Sequence, residues 1–165
     1  MIETERLLLR PWRDGDERIA APIYAKPSVM CFIPGGVWTA EQTAQIVTRM
    51  KTLEREQGFG FYPVVHKGSG ELIGHAGLGH LERTPEIELA YVLDETHWGR
   101  GYATEIAQAV LAHAFGKLGL DRVVAVAFPE NHRSIRVMQR AGMRPVGIAF
   151  HFGKDVVKYE ALRPT

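Results

Sequence analysis

The stretch Trp98-Gly99-Arg100-Gly101-Tyr102-Ala103 constrains this chain more than any other. It follows the apolar run Leu89-Ala90-Tyr91-Val92-Leu93, which reads as a strand, and it opens a helical pattern from about Thr104 to Leu118. A glycine-rich turn between a strand and a helix leaves several backbone N–H groups unpaired and pointing one way. The positive end of the helix dipole reinforces them, so the turn is a cradle for an anion. Glycine serves there because a side chain would hold a phosphate away from the backbone. The pattern therefore predicts a ligand with a phosphate or pyrophosphate, beside the plainer reading of a turn that only needs glycine. Two known cradles do not fit. The P-loop needs four residues between its glycines followed by Gly-Lys-Ser/Thr, and the dinucleotide fingerprint needs a third glycine where this chain has Thr104.

The rest of the chain alternates strands and helices. Arg6 to Trp12 is leucine-rich enough for a buried strand. Asp14-Gly15-Asp16 caps a short helix ending near Tyr24, and Lys26 to Val37, with two prolines and two glycines, reads as loop. Thr39 with Gln42 forms a capping box for a helix that Gly58 stops, with Ala44, Val47, Met50 and Leu53 at helical spacing. Strands at about 60–66 and 72–79 flank the hairpin turn Lys67-Gly68-Ser69-Gly70, and Glu86 to Leu93 is the next strand. Ile106, Val110, Leu111 and Ala114 form the core face of the long helix. Arg122 to Phe128 is continuously apolar after its first residue, so it is expected to be central and buried on both faces. A helix from about Ser134 to Ala141 and a last pair of strands follow. Strand–helix–strand from Glu86 to Phe128 predicts a parallel crossover. The expected fold is one α/β (α+β) domain over residues 1–165, with a mixed sheet of about six to seven strands and flanking helices.

Composition excludes several classes. The 165 residues suit one domain, 45% are hydrophobic, and the net charge is +1, with no basic run of the kind that grips nucleic acid. No apolar run reaches the roughly 18 residues of a membrane span, and the first residues lack a signal-peptide pattern. The single cysteine, Cys31, excludes an internal disulfide and points to the cytoplasm. Its neighbours Met30 and Phe32 suggest that it packs rather than reacts. The seven histidines show no metal-ligand spacing, so no metal is expected.

The segment Glu88-Leu89-Ala90-Tyr91-Val92-Leu93, four spacer residues, then Trp98 to Glu105 resembles the acetyl-CoA signature of the Gcn5-related N-acetyltransferases (GNAT). The likeness is to the branch of the ribosomal-protein N-terminal acetyltransferases. Asn131-His132-Arg133-Ser134 running into Val137-Met138-Gln139-Arg140-Ala141-Gly142-Met143 resembles that branch's second signature, and Thr4-Glu5-Arg6-Leu7-Leu8-Leu9-Arg10-Pro11-Trp12 its first strand. One departure is Trp98, where the wider family often carries Gln or Arg; Trp is familiar in the resembled branch, so the departure bears on one side-chain phosphate contact only.

The resemblance implies a GNAT-like domain whose sheet splays between the strands at about 86–93 and 122–128. It implies acetyl-CoA as co-substrate, with the pantetheine arm along Tyr91, Val92 and Leu93. The pyrophosphate falls to the turn Trp98, Gly99, Arg100, Gly101, Tyr102, Ala103 and Thr104, and Asn131, Ser134 and Arg140 belong to the same set. Asn also caps helices, and a serine one turn into a helix is often bonded only to backbone, so those readings stand beside the cofactor roles.

Acetyl transfer needs a neutral amine, a stabilised thioester oxygen and a proton for the departing thiolate. Glu86 and Glu88 share one strand face. Glu88 matches the acid that begins the resembled motif and is the first candidate for base, Glu82 a weaker one; Ser134 is the candidate acid. An N-acetyltransferase acting on a primary amine, of a protein N-terminus or a small molecule, is the leading function. A CoA-binding module without catalysis and a transferase of a longer acyl group are the alternatives. Neither nucleic acid nor membrane is expected as a partner, and the chain is expected to be a monomer or homodimer.

Overall fold

A computed structural model describes all residues, 1–165. Its elements in chain order are β1 (Ile2–Glu3), β2 (Leu7–Leu9), α1 (Asp16–Tyr24), α2 (Pro27–Met30), α3 (Ala40–Gln57), β3 (Phe61–His66), β4 (Leu72–His80), β5 (Ile87–Leu93), α4 (Tyr102–Gly116), β6 (Arg122–Ala127), α5 (His132–Arg140), β7 (Arg144–His151) and β8 (Lys154–Leu162). The strands form one mixed sheet in the order β1-β2-β3-β4-β5-β6-β8-β7. The strand count is eight rather than six or seven, because the N-terminal run makes a small hairpin of two short strands, Ile2 opposite Leu9. β2 ends at Leu9, not Trp12. Arg10 turns to a bidentate pair with Asp16 (2.7 and 3.1 Å), and Trp12 swings its indole N–H onto the Phe61 carbonyl at 2.9 Å.

The chain divides into two compact units. The first comprises Met1–Gly77 and Tyr91–Tyr102. Its core gathers Trp12, Ala20, Ile23, Tyr24, Val29, Met30, Val47, Met50, Leu72 and Val92. The α3 capping box is present as expected: Thr39 accepts the Gln42 N–H, and the Gln42 side chain accepts the Thr39 N–H. The region read as loop after Lys26 contains α2, a single turn begun by Pro27 in the position where a missing N–H costs nothing. Cys31 follows that turn and is exposed, contrary to the packing expected from its neighbours; its thiol meets only the Ser28 carbonyl, at 3.4 Å. Gly74 lets β4 press against the end of β5, since a Cβ there would lie 2.0 Å from the Val92 carbonyl oxygen.

The second unit comprises Leu78–Ala90 and Ala103–Thr165. β5 and β6 run parallel with Glu88 opposite Val124. β8 lies antiparallel between β6 and β7. Val123, Val124 and Ala125 are buried in succession, as the continuous apolar run required. Ile106, Val110, Leu111 and Ala114 of α4 are buried too. That helix begins at Tyr102 and ends at Gly116, two residues earlier at each end than the sequence suggested. The β7–β8 hairpin closes on Phe152-Gly153, both at positive φ, the two-residue turn that suits strand twist. β7 is an edge strand and leaves Val146, Ile148 and Phe150 more than half exposed, at 51%, 66% and 69%. No helix is long and apolar enough to cross a membrane.

Candidate active site

In the first unit the glycine turn is held open from several sides. Gly99 and Gly101 have φ of +74° and +80°, a conformation that side-chain-bearing residues rarely adopt. A Cβ on Gly99 would meet nothing within 4 Å, so space lies against the backbone there, as an anion cradle requires. The approach from β5 is anchored by Lys26 to Asp94 at 2.6 Å and by Ser28 to Glu95 at 2.5 Å. The Trp98 indole N–H donates to the Leu93 carbonyl at 2.9 Å. That bond joins two residues expected to meet the cofactor. Tyr91 is half-buried, while Val92 and Leu93 are buried; Gly99, Arg100 and Gly101 are exposed, and Tyr102 is buried at the start of α4.

Three residues missed from the sequence support this turn. The Arg6 guanidinium donates to the Arg100 carbonyl at 2.9 Å and lies 4.5 Å from the centre of the Tyr102 ring. The Tyr102 hydroxyl meets His66 Nε2 at 3.0 Å, and the His97 ring lies 6.1 Å from that of His66. Arg6 stood within the recognised first-strand segment, yet nothing in its spacing pointed 94 residues along the chain.

In the second unit the carboxylates have separate environments. Glu86 is paired with Lys158 at 2.5 Å and Arg122 at 2.6 Å, and these bonds, Lys158 foremost, hold it below the usual carboxylate range despite partial burial. Glu160 is bound by Arg122 and Arg144 and is lowered likewise. Glu82 accepts from the His151 ring at 2.9 Å and from the Phe152 N–H at 2.7 Å, and both bonds lower it. Glu82 reaches them from a left-handed backbone, φ +51°, a strained state for a residue with a side chain.

Glu88 alone in this set has no ion pair. Burial first, then the charge of Glu82, push it up to about 8, with Lys158 opposing. A group with that value gains and gives up protons near neutral pH, whereas Glu82 and Glu86 are held as anions by their partners. The fixed pairing around Glu88 involves Arg122, Lys158 and His151, none of which the sequence offered as site residues; strand alternation cannot reveal cross-strand charge partners in a fold not yet known.

Asn131 caps α5, its side-chain oxygen accepting the Ser134 N–H at 3.3 Å. The capping reading of Asn131 is met by its oxygen, and its amide N–H₂ lies at the same helix start. Ser134 is half-buried, Ala103 and Thr104 open α4 and are half-buried, and Arg140 is exposed with its carbonyl accepting from Gln108 at 3.3 Å. α5 begins at His132, so Ser134 lies within its first turn. His75, by contrast, is fully enclosed on Tyr24 at 2.6 Å and pulled down to about 4 by burial, which makes it part of the packing.

Comparison with known proteins gives the class to which this arrangement of strand, glycine turn and helix belongs: the acyltransferases of the GNAT family. The acetyltransferase (GNAT) domain model matches residues 6–144, and the chain belongs to this family of N-acetyltransferases. It is 34% identical over 146 residues to the uncharacterized N-acetyltransferase YnaD of Bacillus subtilis, covering 88% of this chain and 84% of YnaD. A GNAT-family acetyltransferase from Bacillus anthracis superposes with a TM-score of 0.86 at 31% identity, over 98% of both chains. The ribosomal-protein-S5-alanine acetyltransferase of Vibrio fischeri superposes at 0.81 with 20% identity, over 98% of this chain and 95% of that one, a likeness of fold.

Proposed function

We propose that residues 1–165 act as one catalytic domain that moves the acetyl group of acetyl-CoA directly to a primary amine, of a protein N-terminus or a small molecule. The observation that carries this reading is Glu88, the one carboxyl of its group without an ion pair and with a proton affinity near neutral pH. In this reading the turn Trp98–Thr104 receives the pyrophosphate on backbone N–H groups, and Tyr91–Leu93, Asn131, Ser134 and Arg140 attend the rest of the donor.

The chemistry asks little of covalent catalysis, because a thioester is already activated. Glu88 takes a proton from the acceptor ammonium, directly or through water, and the neutral nitrogen attacks the thioester carbon. Backbone N–H groups bear the charge that develops on the carbonyl oxygen. As the C–S bond breaks, the Ser134 hydroxyl protonates the departing thiolate, and the second proton lost by the acylated nitrogen, passed through water, restores that hydroxyl. A reducing compartment such as the cytoplasm suits the lone exposed thiol of Cys31.

Release of free CoA thiol, followed with a panel of peptide N-termini, amino-acid amides, polyamines and aminoglycosides, tests the proposal. Amine-dependent release supports it. Donor binding without release for any amine would make the chain a CoA-binding module, and a preference for a longer acyl-CoA would change the group transferred.

A further inference from the structure

The first-strand segment around Arg6 has no part in the function proposed above, yet its side chain crosses to the glycine turn. Arg6 Nη1 donates to the Arg100 carbonyl at 2.9 Å, between the two positive-φ glycines. Its guanidinium lies 4.5 Å from the Tyr102 ring centre, a cation–π distance, and its Nη2 would be 3.5 Å from a Cβ on Gly101. Tyr102 is in turn fixed by His66. His66 Nε2 meets the Tyr102 hydroxyl at 3.0 Å, while Nδ1 faces the Ser69 hydroxyl at 2.9 Å and the Ser69 N–H at 3.2 Å. The Arg6 backbone is tied to the same hairpin, its carbonyl accepting the Lys67 N–H at 2.9 Å.

By bonding the Arg100 carbonyl, Arg6 draws that oxygen toward itself, and its own charge adds to the positive end of α4. A planar fork that both donates and stacks is a task lysine does poorly.

We propose that Arg6 is a positioning residue for the phosphates of the acyl donor: it fixes the turn from Gly99 to Tyr102 in its donor-presenting shape and adds positive charge beside it. This rests on the reading that the turn binds acetyl-CoA.

The test uses the full chain with Arg6→Gln and Arg6→Lys, folding of each being checked by circular dichroism. Acetyl-CoA binding is measured calorimetrically at two salt concentrations, with S-acetylpantetheine, which lacks the nucleotide phosphates, as a second probe. Arg6→Gln should raise Kd and KM for acetyl-CoA about tenfold or more and flatten the salt dependence, with kcat at saturating donor within about twofold. S-acetylpantetheine should be handled equally by variant and wild type. Arg6→Lys, which keeps the charge and is the variant to rely on should Gln impair folding, should lose severalfold. Unchanged acetyl-CoA affinity in the folded variants, or an equal loss with S-acetylpantetheine, overturns the role of Arg6. Failure of the wild type to bind acetyl-CoA overturns instead the reading on which it rests.

Discussion

Replacing Glu88 by Gln tests the base assignment through folding as well as through turnover. Burial and the nearby Glu82 charge raise Glu88 from 4.5 to about 8 in the folded protein. Between those values the folded chain keeps a proton that the unfolded chain has lost, so this group's contribution to stability falls as pH rises through the window and levels off above about 8. At ~1.4 kcal/mol per pH unit the full interval corresponds to about 5 kcal/mol, and partial solvent access cuts this to about 1–2 kcal/mol. Gln carries no such penalty. Glu88→Gln should therefore gain on the wild type as pH rises from 5 to 9, by about 2–8 °C in Tm at this chain length. Thermal unfolding of both proteins at pH 5, 7 and 9 measures it. In the acetyl-transfer assay the same variant should lose about 10- to 1000-fold in kcat near neutral pH, with acetyl-CoA affinity nearly unchanged, and the deficit should shrink at high pH where the acceptor amine is already neutral. A Tm difference that ignores pH, together with an unaltered rate, would refute both the buried carboxyl and its role.

Glu86→Gln removes the carboxylate that Lys158 binds. The freed ammonium should draw the Glu88 limb of the pH–rate profile to lower pH; a profile that stays in place would mean that Lys158 remains fixed elsewhere. Gly101→Val forces a branched side chain into φ +80°, at a cost of about 1–2 kcal/mol in folding, and acetyl-CoA affinity should fall about tenfold or more, a larger effect, as read by calorimetry beside thermal unfolding. Asn131→Ala deletes the α5 cap and should cost about 1 kcal/mol of stability; unchanged donor affinity in that variant would leave Asn131 a cap only. Ser134→Ala keeps the backbone N–H that Asn131 binds, so stability should hold while turnover falls about tenfold and donor affinity by about 1 kcal/mol or less. A raised KM with normal kcat would make Ser134 a binding residue.

Local signals carried the fold a long way. The Thr39–Gln42 box, the Gly58 stop, the Lys67–Gly70 turn and the buried run after Arg122 each rest on chemistry within a few residues, and each forms as read. What escaped was set by tertiary contact. The N-terminal hairpin owes its short second strand to Arg10 turning toward Asp16, and α2 arises where two prolines and two glycines suggested only loop. The candidate site divided in the same way. Gly99, Gly101 and Glu88 could be named from motif and alternation. Arg6 on Arg100, His151 on Glu82 and Lys158 on Glu86 join residues 69 to 94 positions apart, and only the folded sheet pairs them.

β7 has a practical consequence for anyone handling this protein. A bare outer strand whose Val146, Ile148 and Phe150 face water is a template on which a second strand can grow. Pro145 withholds one amide hydrogen, and the irregularity before Gly147 breaks the regular spacing of the rest. Both features shorten the uninterrupted edge that such pairing would need. Smoothing that stretch, for instance by replacing Pro145 with a β-branched residue in search of a tidier hairpin, would lengthen the uninterrupted edge and exchange solubility for order.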